Sequence, residues 1–380
     1  MIYFDNGATS FPKPRQVAQA VSEAFTLYGA NPGRSGHEMS MNTAIKIFEV
    51  REAVAGLFEV HNLNEVVFTL NCTHAVNFAI KGALRAGDHV IISDLEHNAV
   101  LRPVHALAQR GIITYSIAET FPEHSRTVAS FARHIRPNTK MIACTHASNV
   151  FGMVMPIEDI AGLCKERGIL LLVDAAQTAG VLELKPRRWG IDFLCAAGHK
   201  GLYGPTGTGV MVTPHGAWME TTIEGGTGSY SASYEQPTEM PDRFESGTIN
   251  TVGILGLGAG VDFVREKTPQ AIYTHEIKLA LEASAMLKTI PGVELYTPDL
   301  GFGTHVPVLS FNIQGKSSEE TTTRLSDKGF ALRGGLHCAP LAHYKFGTME
   351  RGTARASFGA FNTIRQVGQL CEAIAEIAAG

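Results

Sequence analysis

KMIACTHASNVFGMVMPIEDIAGLCKERGILLLVDAAQTAG, residues 140–180, sets two apolar runs on either side of a helical pattern. The runs 140–145 (KMIACT) and 169–174 (ILLLVD) lack polar alternation, so each predicts a strand buried on both faces. Between them, 156–167 reads as a helix: Pro156 suits a first helical position, and Glu158 and Asp159 bring negative charge to the first turn. Strand, helix, strand is the unit of a parallel sheet, and the alternation continues outward. Stretches 65–70, 89–93, 112–117, 192–197 and 207–212 read as further strands, with helices at 74–85 and 98–110. The expectation is an α/β fold with a mainly parallel seven-stranded sheet between helices. After about residue 250 the pattern changes to long helices at 251–266 and 269–289, strands at 306–313 and 352–358, a helix at 318–328 and a last helix from 363. That predicts a smaller α+β C-terminal domain, which the N-terminal segment joins. The expected division is 13–255 for the large domain, with 1–12 and 256–380 forming the small one.

Composition narrows the function classes. The 380 residues are 44% hydrophobic and 18% charged, as in globular proteins with a sizeable core. A net charge of -4, with Lys and Arg scattered, gives no footprint for nucleic acid. No apolar run approaches the roughly 20 residues that span a bilayer, and the start MIYFDNGATS lacks signal-peptide character. The six cysteines form no C-x-x-C pair and no zinc-like spacing, so no metal site is expected and a cytoplasmic location with free thiols is.

Ligand sites of open α/β sheets lie at the carboxyl ends of the strands. Asp174 ends an all-apolar strand, three residues before Gln177. A carboxylate there either caps the next turn or faces a cationic partner such as a protonated pyridine nitrogen. After 192–197 comes GHKGLYGPTGTG, where Lys200 stands beside His199. With no G-K-[ST] the loop is not a Walker A, and a lysine held there can bond an aldehyde. Asn71, Thr73 and His74 sit between a strand and a helix, where helix N–H groups, a hydroxyl and an imidazole suit a phosphate; a plain N-cap is the alternative. His97 follows another strand, where its ring can stack on an aromatic group. A phosphate, an aldehyde, a pyridine nitrogen and a ring face together describe pyridoxal 5′-phosphate. Far along the chain, ALRGGLHCAPLAHYKFG (331–347) holds Cys338 in a Gly- and Pro-punctuated loop, unlike cysteines 72, 144, 164, 195 and 371 in or beside regular elements. That placement suits a nucleophile, or a small residue in a turn.

In order along the chain, YFDNGATS, EHNAV, SNVFG, VDAAQTAG, GHKGLYGPTGTG, ESGTINTVG and RASFGAFNT resemble the aminotransferase class V group of fold-type I pyridoxal-phosphate enzymes, and within it the cysteine desulfurases. The resemblance implies Lys200 as the Schiff-base lysine, Asp174 as the pyridinium partner, Gln177 at the ring hydroxyl and His97 stacked on the ring. It puts Thr73 and His199 at the phosphate, with Thr248 reaching the phosphate of a neighbouring subunit in a homodimer. Asn149 falls near ring and substrate, and Arg355 at the substrate carboxylate. Cys338, in RGGLHCAP, matches the nucleophile position of the Suf-type group and the selenocysteine lyases. Two departures stand out. Ala197 replaces a phosphate-binding serine, for which His74 or backbone groups are the expected substitutes, and Gly201 is an added residue after the lysine. The implied reaction takes sulfur from L-cysteine, leaving L-alanine and a persulfide on Cys338 for a sulfur-acceptor protein, with His337 one candidate for activating the thiol. Selenocysteine lyase, cysteine sulfinate desulfinase and aminotransferase chemistry are the alternatives on the same scaffold. A protein that binds the cofactor or a sulfur acceptor without turnover is the alternative of another class.

Overall fold

The computed structural model describes residues 1–32, 36–297 and 299–380. Twelve strands are present among them. In chain order they are β1 (Ile2–Tyr3), β2 (Val66–Thr69), β3 (His89–Ser93), β4 (Thr114–Ala118), β5 (Thr139–Thr145), β6 (Leu170–Asp174), β7 (Phe193–Ala197), β8 (Gly209–Val212), β9 (Val293–Leu295), β10 (Val308–Ile313), β11 (Phe330–Ala331) and β12 (Ala354–Ser357). Seven of them form one sheet in the order β2-β8-β7-β6-β5-β3-β4. Strands β7 through β4 in that order pair in parallel, and β8 runs antiparallel to both its neighbours.

The unbroken apolar runs have a direct cause. Along each strand alternate side chains enter opposite cores: Leu171 and Val173 pack on one face of β6, Leu172 on the other. One face is covered by helices Glu38–Leu57, Ile157–Arg167 and Thr251–Lys267, the other by Cys72–Ala83 and Asn98–Gln109. The seven-stranded, mainly parallel sheet agrees with the α/β expectation. Its strand order reverses between β3 and β5, so a crevice opens at their carboxyl ends.

A three-stranded antiparallel sheet, β12-β10-β9, carries its own core with helices Pro269–Leu287 and Ile364–Ala379. Phe4 belongs to that core. β1 pairs in parallel with β11, and Asp5 bridges to Ser357, so the first residues lie on the C-terminal sheet. The expected boundary between 255 and 256 meets a continuous helix. It falls inside the helix Thr251–Lys267, whose Ile254, Leu257 and Val261 belong to the core of the large sheet. Helices Arg15–Thr26, Glu38–Leu57 and His124–Arg133 were not assigned from the sequence. In the second of these, Ile47, Val50 and Val54 are buried while Met41, Ile45 and Phe48 are exposed, so apolar residues on both faces blur the helical period. No helix among the described residues is long and apolar enough to cross a membrane.

Candidate active site

A cavity of about 220 Å³ lies at the carboxyl ends of the parallel strands. The large sheet contributes Thr73, His97, Asn149, Asp174, Gln177 and Lys200 to its wall, together with Ala197 and His199. The C-terminal part contributes Arg333, His337 and Arg355, and the N-terminal segment adds Gly7 and Ala8. Residues nearly 350 positions apart therefore meet here. Thr248 does not line this cavity and is exposed.

Asp174 is the last residue of β6 and only 3% exposed. Its Oδ1 accepts from the Ala176 amide at 2.9 Å and from the Cys72 thiol at 3.3 Å. Burial pushes the Cys72 thiol far up, with Asp174 adding to the effect, so Cys72 acts here as a neutral donor. Lys200 follows β7. Burial lowers its amine from the ordinary lysine value and the Asp174 charge works against that, so the amine is more readily neutral than a surface lysine.

The glycines around Lys200 are there for close packing. A Cβ at Gly198 would sit 2.1 Å from Thr208 Oγ1, and one at Gly201 would sit 2.4 Å from the Ala179 carbonyl. The added residue noted in the sequence is thus one that only glycine can fill against the turn after β6.

Asn71 caps the helix Cys72–Ala83, accepting from the His74 amide at 2.9 Å. The first-turn amides of Cys72 and Thr73, with the Thr73 hydroxyl, remain for an anion. His74 is not brought to the cavity, contrary to expectation. Its Nδ1 accepts from the Leu70 amide at 3.2 Å, and its ring centroid lies 4.2 Å from that of Phe78. His199 does reach the cavity, with a buried Nδ1 that has no partner among the described residues. Burial first, then Lys200 and Lys13, pull its pKa to about 4.

His97 caps the helix Asn98–Gln109, its Nδ1 accepting from the Ala99 amide at 3.0 Å. Burial lowers its pKa to about 4, so the ring stays neutral near pH 7. Gln177 donates to the Gly7 carbonyl at 3.1 Å. Asn149 donates to the His337 carbonyl at 2.7 Å, and its own Oδ1 is buried with no partner among the described residues.

Arg355 stands in the middle of β12 and is 1% exposed. It donates to Asp5 Oδ1 at 2.7 Å and to the Asn149 carbonyl at 2.9 Å, and its buried Nε has no partner among the described residues.

Among the six cysteines only Cys338 is exposed. It and His337 both have left-handed backbone, with φ of 58° and 47°. The loop is pinned to the large sheet's side: the Asn98 amide donates to the Cys338 carbonyl at 2.7 Å, beside the Asn149 contact already described. His337 is buried, hydrogen-bonded through Nε2 to the Thr353 carbonyl at 2.8 Å, and burial with the Arg355 charge drops its pKa to about 2. It is no base near pH 7. The group beside the sulfur is Arg333, whose Nη2 lies 3.9 Å from Cys338 Sγ and whose backbone bridges to Arg355. The sequence reading passed over Arg333, although it opens the RGGLHCAP segment.

Residues 2–370 match the family model of aminotransferase class V. The chain is 32% identical, over 387 aligned positions, to a probable cysteine desulfurase of Methanothermobacter thermautotrophicus, covering 99% of this chain and 94% of that one. It is 32% identical to a cysteine desulfurase of Salmonella agona, covering 99% of this chain and 93% of that one. Among solved structures, the apo cysteine desulfurase of Thermococcus onnurineus superposes with a TM-score of 0.93 at 32% identity, covering 100% of this chain and 95% of that one. The cysteine desulfurase CsdA of Escherichia coli, as its S-sulfonic acid, gives 0.88 at 27% identity over 99% and 94%.

Proposed function

The chain belongs to the aminotransferase class V family, and from that premise we propose that it is a pyridoxal 5′-phosphate-dependent cysteine desulfurase acting on L-cysteine. One observation carries the reading: an amine (Lys200) and a carboxylate (Asp174) share a 220 Å³ cavity whose neighbouring loop holds the chain's single exposed cysteine. The residues fit the cofactor. Buried polar atoms without protein partners, His199 Nδ1 and Asn149 Oδ1, line the cavity beside helix amides suited to a phosphate.

When bound, pyridoxal phosphate supplies an aldehyde carbon that bonds an amine and a ring that takes up the electron pair left at the substrate α-carbon. Lys200 would hold the aldehyde until the substrate amine displaces it, and the freed amine, which burial keeps more readily neutral, would then take the α-proton. Asp174, fixed through Oδ1, would keep the ring nitrogen protonated. His97 would lie on the ring and Gln177 would serve the ring hydroxyl. Thr73 and His199 would hold the phosphate, joined by Thr248 of a second copy. The exposed position of Thr248 and the exposed apolar side chains Phe25, Met41, Ile45 and Phe48 support such a homodimer. Asn149 and Arg355 position the substrate, Arg355 at its carboxylate. The Cys338 sulfur would attack the substrate sulfur: the S–S bond forms as the substrate C–S bond breaks, its electron pair passes to the β-carbon, and protonation at the β- and α-carbons gives L-alanine, leaving a Cys338 persulfide for an acceptor protein. Arg333, rather than His337, is the charge beside that sulfur. Six unpaired cysteines support a reducing, cytoplasmic setting.

The test is alanine release from L-cysteine with a reductant present, for wild type and Cys338→Ala, both checked for cofactor absorbance. Alanine from the wild type alone supports the desulfurase. Equal alanine from both proteins sinks it in favour of the alternatives that need no cysteine nucleophile.

A further inference from the structure

Arg355 poses an electrostatic problem before any substrate arrives. Its guanidinium is 1% exposed and shares the cavity with a second guanidinium, Arg333, and with Lys200. A buried cation needs a counter-charge. Among the described residues one acid forms an ion pair with it: Asp5, at 2.7 Å and with its side chain 18% exposed. Asp5 lies 350 residues upstream, on the segment that crosses the edge of the C-terminal sheet.

That segment is built to hold its place. Asp5 bridges to Ser357, the last residue of β12, the Gly7 amide donates to Ser357 Oγ at 2.7 Å, and Asn6 donates to the Ser357 carbonyl at 3.0 Å. The Tyr3 hydroxyl closes the turn on the Asp5 and Thr9 carbonyls. A Cβ at Gly7 would come within 3.3 Å of Arg355 Cζ, so the glycine lets the backbone lie against the guanidinium. With one Nη engaged by Asp5 and the other by the Asn149 carbonyl, the group is clamped at two points, and its Nε is the buried donor left over.

We propose that Asp5 is a positioning residue for the substrate carboxylate subsite, holding the Arg355 guanidinium neutralised and oriented so that its remaining donors meet an α-carboxylate. The inference rests on the reading of Arg355 as the carboxylate partner. It makes the N-terminal turn part of the active site, because this wall of the cavity is assembled from the two ends of the chain.

Asp5→Asn in the cofactor-loaded enzyme tests it, using L-cysteine and cysteamine, which keeps the amine and thiol but lacks the carboxylate. One charge-assisted hydrogen bond of roughly 1.5 kcal/mol corresponds to about a tenfold effect. KM for L-cysteine is expected to rise about tenfold, with kcat within about twofold and with unchanged binding of cysteamine, followed by cofactor absorbance. Asp5→Ser, measured alongside, is expected to give the same split should Asn disturb the turn. An equal loss for both ligands means a general structural role and overturns the proposal, as does an unchanged KM for L-cysteine. Arg355→Lys separates the two levels. If it raises KM while the Asp5 variants do not, Asp5 alone was misassigned; if it too leaves KM unchanged, the carboxylate reading of Arg355 fails.

Discussion

Glu245→Gln removes one charge and almost no volume from the segment that leads into Thr248. Glu245 pairs with Arg51 through both oxygens, each at 2.8 Å, and the two side chains are 6% and 8% exposed. Its Oε1 also accepts from the Phe68 amide at 2.7 Å, and Arg51 donates to the Val66 carbonyl and lies over the Phe68 ring. Both carboxylate oxygens thus face donors. A glutamine must turn its NH₂ toward at least one of them, leaving a buried guanidinium short of its counter-charge. Breaking such a pair costs about 3–5 kcal/mol. At roughly 2.1 cal/mol/K of unfolding entropy per residue, a 380-residue chain loses about 5 °C in Tm for about 4 kcal/mol. The assay is thermal unfolding by circular dichroism of wild type, Glu245→Gln, Arg51→Met and the double variant Arg51→Met/Glu245→Leu. The double variant should recover much of the loss, because no charge is left unpaired. A Glu245→Gln protein melting within about 1 °C of wild type, or single effects that simply add, would refute the reasoning. The same variant should retain cofactor less tightly on dialysis, since Glu245 anchors the 246–248 turn to β2.

Rapid thiol titration of the native protein should find one reactive cysteine, and none in Cys338→Ala, because the other five are buried; more than one fast thiol contradicts the packing. His146, buried against Thr178 with its pKa lowered to about 4, and His337, lowered to about 2, both protonate more easily unfolded than folded. Their stabilisation is complete well above the unfolded value near 6.5 and is lost as pH falls, by about 3 kcal/mol together between pH 6.5 and 5. Urea midpoints at pH 7, 6 and 5 check this, and a flat series refutes it. Gly201→Ala would press a methyl against the Ala179 carbonyl and Val181, so a strain of about 1–3 kcal/mol should displace the Lys200 loop and diminish covalent cofactor retention, read from absorbance after dialysis.

Much of the architecture is local in origin and could be read from the chain. Runs such as LLLVD need both faces covered, which specifies a parallel sheet, and an acid at the end of such a run either caps a turn or faces a cation. Asp174, Gln177, His97, Lys200 and Thr73 were candidates on such grounds, and the fold places all five on the wall of one cavity. The family resemblance added Asn149 and Arg355 and gave the loop cysteine Cys338, already set apart by its Gly- and Pro-rich surroundings, an expected role. Other features depended on neighbours that no periodicity encodes. His74 had the right spacing for an anion, yet the fold commits it to Leu70 and Phe78. His337 stands next to Cys338 in sequence, but two left-handed residues put the ring in the core and the thiol outside, and Arg333 is the charge that approaches the sulfur. The helix Thr251–Lys267 spans the expected domain boundary, and its Ile254, Leu257 and Val261 pack in the core of the large sheet. Asp5 and Arg355 meet only because β1 and β12 lie on the same C-terminal lobe. The sequence by itself determined the sheet, the order of its elements along the chain and which polar residues stand at each strand end, because these follow from burial and backbone hydrogen bonding within short segments. Which side chains face one another across the cavity was decided by the tertiary structure, since those contacts join residues hundreds of positions apart and depend on how whole layers pack.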